Sequence, residues 1–213
     1  MLSNEDSPSN EFAGKVVIFT APSGAGKTTI VRHLLNTCQQ DLDFSISATS
    51  RAKRAGEKDG KDYYFLSKED FQTKIDQDAF LEWEEVYSDL FYGTLKSEVD
   101  RIWSFRKHII FDVDVKGAQS IKSHFGHQCL AIFIKPPSLN ILVNRLKSRG
   151  TEDETSLRKR ITRIKHEMTY EHLFDKILVN DILEVAQKEA ALMVEEFIFK
   201  EFKFFEDDAN TNN

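Results

Sequence analysis

The sequence predicts an α/β fold: a doubly wound parallel sheet of five strands, interrupted by a smaller inserted lobe that carries its own mixed sheet. Two observations carry this. Apolar, strand-like runs at Val16–Thr20, His108–Val113, Cys129–Ile134 and Lys176–Asn180 are each followed by residues at helical spacing, and a further strand reads at Phe44–Ala48; strands alternating with helices argue for a parallel sheet. From about residue 50 to residue 106 that rhythm stops, and turn-rich and aromatic pieces replace it. A chain of 213 residues suits one such domain with an insertion better than several independent domains.

The elements follow in order. Residues 1–13 are polar and acidic and read as a frayed arm, without the positive and apolar regions of a signal peptide. Val16–Thr20 is apolar and rich in β-branched residues, the pattern of a strand buried on both faces. After a Gly-rich turn, Ile30, Val31, Leu34 and Leu35 mark one face of a helix from Thr28 to about Cys38. The core comprises residues 14–49 and 107–205, and the insertion residues 50–106. Within the insertion, strands are predicted at Tyr63–Leu66, Leu81–Tyr87 and Leu90–Thr94, and a helix near Lys68–Gln77. Residues 138–168 form the most basic stretch, with Arg145, Arg149, Arg158, Arg160 and Arg163. A closing helix is predicted from Asp181 to Phe205, followed by a polar tail at 206–213.

The bulk properties narrow the partners. A net charge of −6 argues against bulk attraction to nucleic acid or to an anionic membrane, so any bound anion must be held by a local basic cluster. No apolar run approaches membrane-spanning length. Cys38 and Cys129 lack metal-ligand spacing and read as reduced structural thiols, which points to the cytoplasm.

The first chemical motif is Ala21-Pro22-Ser23-Gly24-Ala25-Gly26-Lys27-Thr28, set between a buried strand and a helix and followed by Thr29. It fits the phosphate-binding P-loop except that Ala21 stands at the first glycine position. Gly24 and Gly26 let the backbone wrap closely around phosphate oxygens. The helix that begins there adds its dipole. Lys27 would reach the β- and γ-phosphates of ATP, and the Thr28 hydroxyl would ligate Mg²⁺. Ala21 is tolerable because Pro22 holds its predecessor in extended backbone with negative φ. The second motif is the end of His108-Ile-Ile-Phe-Asp-Val-Asp114. Ligands bind at the carboxyl ends of parallel strands, and strand side chains alternate with period two, so Asp112 and Asp114 are expected to point to the same side, with Asp112 a candidate for the Mg²⁺ water shell.

Further motifs lie in the insertion and beyond it. Ser47-Ala-Thr-Ser-Arg-Ala-Lys-Arg54, Gly56-Glu-Lys-Asp-Gly-Lys-Asp-Tyr63, Leu81-Glu-Trp83 and Tyr92-Gly-Thr94 resemble the GMP-binding lobe of guanylate kinases. Asp112-Val-Asp-Val-Lys-Gly117, Arg145-Leu-Lys-Ser-Arg-Gly-Thr151 and Val179-Asn-Asp181 resemble later motifs of that family, in the same order. The resemblance runs from about Lys15 to Phe199. It implies a P-loop kinase that moves the γ-phosphoryl group of ATP onto GMP, and by extension dGMP, with Mg²⁺. It further implies that Arg51, Arg54, Tyr63 and Tyr92 hold the GMP phosphate, and that Glu82 and Asp114 read guanine, with Ser47, Gly93 and Thr94 beside them. Arg145, Arg149 and Arg160 match lid arginines, and Asn180 the residue near the ATP base.

The chemistry agrees with these assignments. Guanidinium forks suit phosphate oxygens. An ionised carboxylate accepts from the N1–H and amine of guanine but would face a lone pair on adenine. Two other functions have sequence features against them. A phosphopeptide-binding scaffold domain would carry a decayed P-loop, whereas here Gly24, Gly26, Lys27 and Thr28 are intact. A kinase for another monophosphate would not need the Glu82–Asp114 pair. One departure from the family is Ser88-Asp-Leu-Phe91, a residue longer than the usual turn before Tyr-Gly-Thr. Another is the cluster Phe197, Phe199, Phe202, Phe204 and Phe205, which admits two readings: core packing, or a patch that would build a homo-oligomer.

Overall fold

The computed structural model describes Phe12, residues 14–147 and residues 154–199. The chain runs β1 (Val16–Thr20), α1 (Lys27–Thr37), β2 (Leu42–Phe44), β3 (Ala48–Thr49), β4 (Tyr64–Phe65), α2 (Lys68–Asp76), β5 (Phe80–Tyr87), β6 (Leu90–Leu95) and α3 (Lys96–Ser104). It continues through β7 (His108–Asp112), α4 (Val115–Phe125), β8 (Cys129–Lys135), α5 (Leu139–Lys147), α6 (Glu154–Met168), β9 (Lys176–Val179) and α7 (Leu183–Phe199).

β1 is the centre of the larger sheet because its side chains are apolar on both faces. Val16 to Phe19 are each fully buried. Val17 and Phe19 pack with Ile30, Leu34 and Ile132 under α1 and α7. Val16 and Ile18 face the other way, onto Ile102, Ile109, Phe111, Ile121 and Phe133 under α3 and α4. A strand covered on both faces is the natural partner for parallel neighbours with helical crossovers. The strand order is β2-β7-β1-β8-β9, all parallel. From β1 the chain goes out to the edge strand β2, returns inward through β7 and crosses to β8 and β9, so the crevice of the switch point lies over the carboxyl ends of β1, β7 and β8.

The insertion folds as a second sheet in the order β4-β3-β6-β5, with β3 and β4 parallel and the other pairs antiparallel. Its core is aromatic: Phe71 of α2 stacks on Phe80 at 4.4 Å and on Phe91 at 5.4 Å. Aromatic stacking of this kind contributes beyond the area it buries.

The structure corrects one sequence expectation, adds one helix and describes one turn. The strand predicted over Phe44–Ala48 is two strands in two sheets, β2 ending at Phe44 and β3 starting at Ala48, because the chain crosses from core to lobe between them. α3 was not anticipated; its Val99 and Ile102, three apart, bury against the core sheet. The longer turn at Ser88–Phe91 is a two-residue reversal, with Tyr87 opposite Leu90 and Asp89 at φ 64. The extra residue is absorbed by a bulge, since two steps on β5 from Glu85 to Tyr87 oppose one step on β6. In α7, Phe197 packs against the core and Phe199 is exposed; Phe202, Phe204 and Phe205 lie outside the described residues.

Candidate active site

The phosphate loop forms because β1 ends inside the core and α1 must start just above it. Gly24 and Gly26 sit at φ 89 and φ 97, backbone that an L side chain rarely adopts. Ala21 is not among the non-glycine residues with positive φ, as its position before Pro22 requires. Gly26 has a second constraint: a Cβ there would lie 2.3 Å from Asn180 Nδ2. Asn180 is buried, and its Nδ2 donates to the Ala25 carbonyl at 2.7 Å, bracing the loop from behind. No side chain caps α1 and no acidic residue stands in its first turn, so its N-terminal N–H groups and dipole are open to an anion. Pro22 and Ala25 are buried, while Thr28 and Thr29 are exposed at the mouth of the loop.

Lys27 pairs with the carboxylate of Asp112 at the end of the neighbouring strand β7. Thr20 Oγ1 donates to the Val113 carbonyl at 3.0 Å and joins the same two strand ends. β7 stops at Asp112, and Asp114 is the N-cap of α4, accepting the Gly117 N–H at 2.9 Å. The two aspartates therefore serve opposite sides, against the expectation that they share one, because β7 ends at Asp112 and the period-two alternation does not carry on to Asp114. Asp112 faces the phosphate loop, and Asp114 faces the inserted lobe.

On the lobe side, Glu82 of β5 accepts from the Thr94 hydroxyl at 2.6 Å. Its Oε2 lies 3.0 Å from where a Gly117 Cβ would stand, so the carboxyl is pressed against the first turn of α4. Burial is the main reason its pKa is pushed up to about 7, and the nearby Asp114 charge adds to the shift. Gly93 is needed for close approach: a Cβ there would sit 2.8 Å from the Glu82 carbonyl oxygen. Ser47 is half-buried, and its carbonyl accepts from the Tyr64 N–H. Arg51 forms a two-pronged ion pair with Glu57, at 2.8 and 3.1 Å, and its guanidinium lies 5.4 Å from the Tyr63 ring. Tyr63 and Tyr92 meet edge to face at 6.0 Å. Arg54 is exposed, and its backbone N–H donates to Glu57. The hydroxyl of Tyr63 has its pKa raised by burial first, and then by the charges of Tyr92 and Asp112. That last influence comes from the core, across the cleft.

The stretch predicted as a lid holds two helices, α5 and α6, which pack through a small core of Leu142, Leu146 and Ile164. Leu142 and Leu146 bear directly on Gly24. Arg160 reaches the loop, with Nε and NH2 donating to Ser23 Oγ at 3.2 and 2.5 Å. Arg145 donates to the carbonyls of Asn180 and Asp181, both at 3.1 Å. Arg149 lies outside the described residues.

Mg²⁺ is the cation the resemblance implies. The hydroxyl of Thr28 and the carboxylate of Asp112 are hard oxygen donors beside the phosphate loop. Mg²⁺ is held by one or two such groups together with waters and substrate phosphates, so the residues fit a cation that arrives with a nucleotide.

The guanylate kinase family model matches residues 13–198. The chain belongs to the guanylate kinase family. It is 49% identical over 186 residues to the guanylate kinase of Porphyromonas gingivalis, covering 87% of this chain and 99% of that one. It is 48% identical over 184 residues to that of Salinibacter ruber, covering 86% and 96%. The crystal structure of guanylate kinase from Anaplasma phagocytophilum overlays with a TM-score of 0.67 at 24% identity, covering 88% and 87%, and supports the fold.

Three residues of this candidate site escaped sequence reasoning. Glu57 holds Arg51, and nothing in its turn-rich surroundings signalled that. Glu84 was legible in principle, since it lies two residues after Glu82 and strand side chains repeat with period two. Burial raises its pKa first, followed by a hydrogen bond with Asp114, and it pairs with Lys116. Glu98, on the unanticipated α3, is buried and accepts four hydrogen bonds.

Proposed function

We infer that the chain transfers the γ-phosphoryl group of ATP to the phosphate of GMP, giving ADP and GDP. The carrying observation is the two-residue step from Asp112 to Asp114. One carboxylate pairs with the lysine of the phosphate loop, and the other lies beside the half-buried Glu82 of the lobe. A donor in the loop and a purine in the lobe would therefore lie end to end, with their phosphates meeting between Lys27 and the Arg51–Tyr63–Tyr92 group.

In this reading the residues divide the work. The backbone of residues 21–29 cradles the ATP phosphates, and Asn180 holds that loop in shape. Lys27 leaves Asp112 for the phosphate oxygens. Arg51, Arg54, Tyr63 and Tyr92 hold the GMP phosphate, so that one of its oxygens faces the γ-phosphorus opposite the bridging oxygen that leaves with ADP. Glu82 and Asp114 accept from the guanine N1–H and amine, with Ser47, Gly93 and Thr94 shaping the pocket. Phosphoryl transfer depends on placement and charge stabilisation, and the arginines Arg145, Arg149 and Arg160 supply both as the lid closes and excludes water. Mg²⁺ held at Thr28 and Asp112 would neutralise phosphate charge. A coupled ADP-release assay with ATP, Mg²⁺ and each nucleoside monophosphate in turn tests the whole reading. Turnover should be confined to guanine nucleotides, and equal turnover with AMP would overturn it.

A further inference from the structure

The chain passes between core and lobe twice. It leaves through residues 45–47, between β2 and β3, and returns through α3 into β7. Both crossings meet at one buried carboxylate. Glu98 lies in the first turn of α3 and is 2% exposed. Its Oε2 accepts from the Ile46 N–H at 2.8 Å, on the outward crossing. Its Oε1 accepts from the Tyr64 hydroxyl at 2.8 Å, on lobe strand β4. Arg101, one helical turn on, donates to both oxygens at 2.8 and 3.0 Å. The same guanidinium donates to Asp43 Oδ2 at 3.0 Å and to the Phe44 carbonyl at 3.1 Å, both on core strand β2.

A buried carboxylate is costly unless every acceptor site is used, and here it is well satisfied. Burial alone would raise the Glu98 pKa, yet Arg101, the Ile46 N–H and the Tyr64 hydroxyl together hold it below the ordinary value. Two of the bonded residues also adjoin acceptor-site residues. Ile46 precedes Ser47, and Tyr64 follows Tyr63. The Tyr63 ring lies 5.8 Å from that of Phe65, two residues on, so Tyr63 and Tyr64 address opposite faces of the lobe. The phenol that turns away from the cleft is the one anchored at the crossing.

We propose that Glu98 is a positioning residue for the phosphate acceptor: with Arg101 and Tyr64 it sets the angle at which the lobe presents its nucleotide to the phosphate loop. This rests on the reading of the lobe as the GMP site. The test compares the wild type with Tyr64→Phe, which deletes one hydroxyl, and with Glu98→Gln, by calorimetry of GMP and of an unreactive ATP analogue and by steady-state kinetics. Both variants should lower kcat/KM for GMP about 10-fold, since misplacement of an acceptor acts directly on the rate. The KM for ATP should stay within about twofold, because the phosphate loop is untouched.

Should Glu98→Gln fail to fold, Tyr64→Phe carries the test alone. Unchanged GMP kinetics in Tyr64→Phe would overturn the proposal, and so would a parallel loss for ATP and GMP that tracks a fall in Tm. If the wild type itself fails to bind GMP, the reading of the lobe falls instead; if it binds GMP and the variants match it, the positioning role alone falls.

Discussion

Glu82 concentrates the chemistry of the lobe in one side chain. Its ordinary pKa of 4.5 rises to about 7 because the carboxyl is buried. A raised folded-state pKa means that its contribution to stability is fully present below about pH 4.5 and is lost as pH rises through about 7. Glu82→Gln removes the ionised form, so chemical denaturation at pH 8 should show the variant about 1 to 3 kcal/mol more stable than the wild type. The same change should raise the KM for GMP by roughly 10- to 100-fold and leave that for ATP unaltered, because a buried reader is left mismatched to two donors. Guanine wants the ionised carboxylate, so the wild-type KM for GMP should fall as pH rises from about 6 to about 8. A flat profile would remove Glu82 from the base pocket. At the other end of the cleft, Lys27→Met should lose roughly 100- to 1000-fold of kcat while its circular dichroism is retained. Near-normal turnover would refute its role at the transferring group.

At the scale of the element, the phosphate loop and the β5–β6 hairpin are built on opposite principles. The loop depends on backbone freedom, with two glycines at positive φ and a buried asparagine behind them. The hairpin depends on close approach, since Gly93 lies against the Glu82 backbone. Gly93→Ala pushes the strands apart beneath the reader, costing about 1 to 3 kcal/mol, and a Tm lowered by roughly 2 to 8 °C in scanning calorimetry checks it. An unchanged Tm would mean that the hairpin repacks freely. The bulge at Glu85–Tyr87 lets the sequence carry a longer connection while Tyr92 still faces Tyr63.

At the scale of the whole molecule, three bodies meet over the carboxyl ends of the core strands: the sheet with its loop, the lobe, and the helical lid. The lid rests on the loop through Leu142, Leu146 and Arg160. Arg160 bonds the loop serine, and in the proposed function it acts on the transferring phosphoryl group. Arg160→Ala should therefore reduce kcat by roughly 100-fold or more with a much smaller change in either KM. Stopped-flow single-turnover kinetics would separate that loss from slowed product release, and an unaltered chemical step would discard the assignment.

Much of this was legible in the chain itself. The parallel sheet followed from apolar runs of strand length alternating with helical spacing, and the phosphate loop from glycines and a lysine whose order is dictated by local backbone geometry. Such features are short-range, and each residue's neighbours in sequence suffice to place it. What tertiary structure decided were the partners of the charged side chains: Lys27 with Asp112, Arg51 with Glu57 across a turn, Glu82 beside Asp114, and Glu98 with Tyr64 and Ile46. It also decided that Phe44–Ala48 divides between two sheets and that α3 turns back into the core. These depend on which buried surfaces meet when the lobe folds against the sheet. A carboxylate's neighbours across a cleft leave no periodic trace in the sequence that carries it.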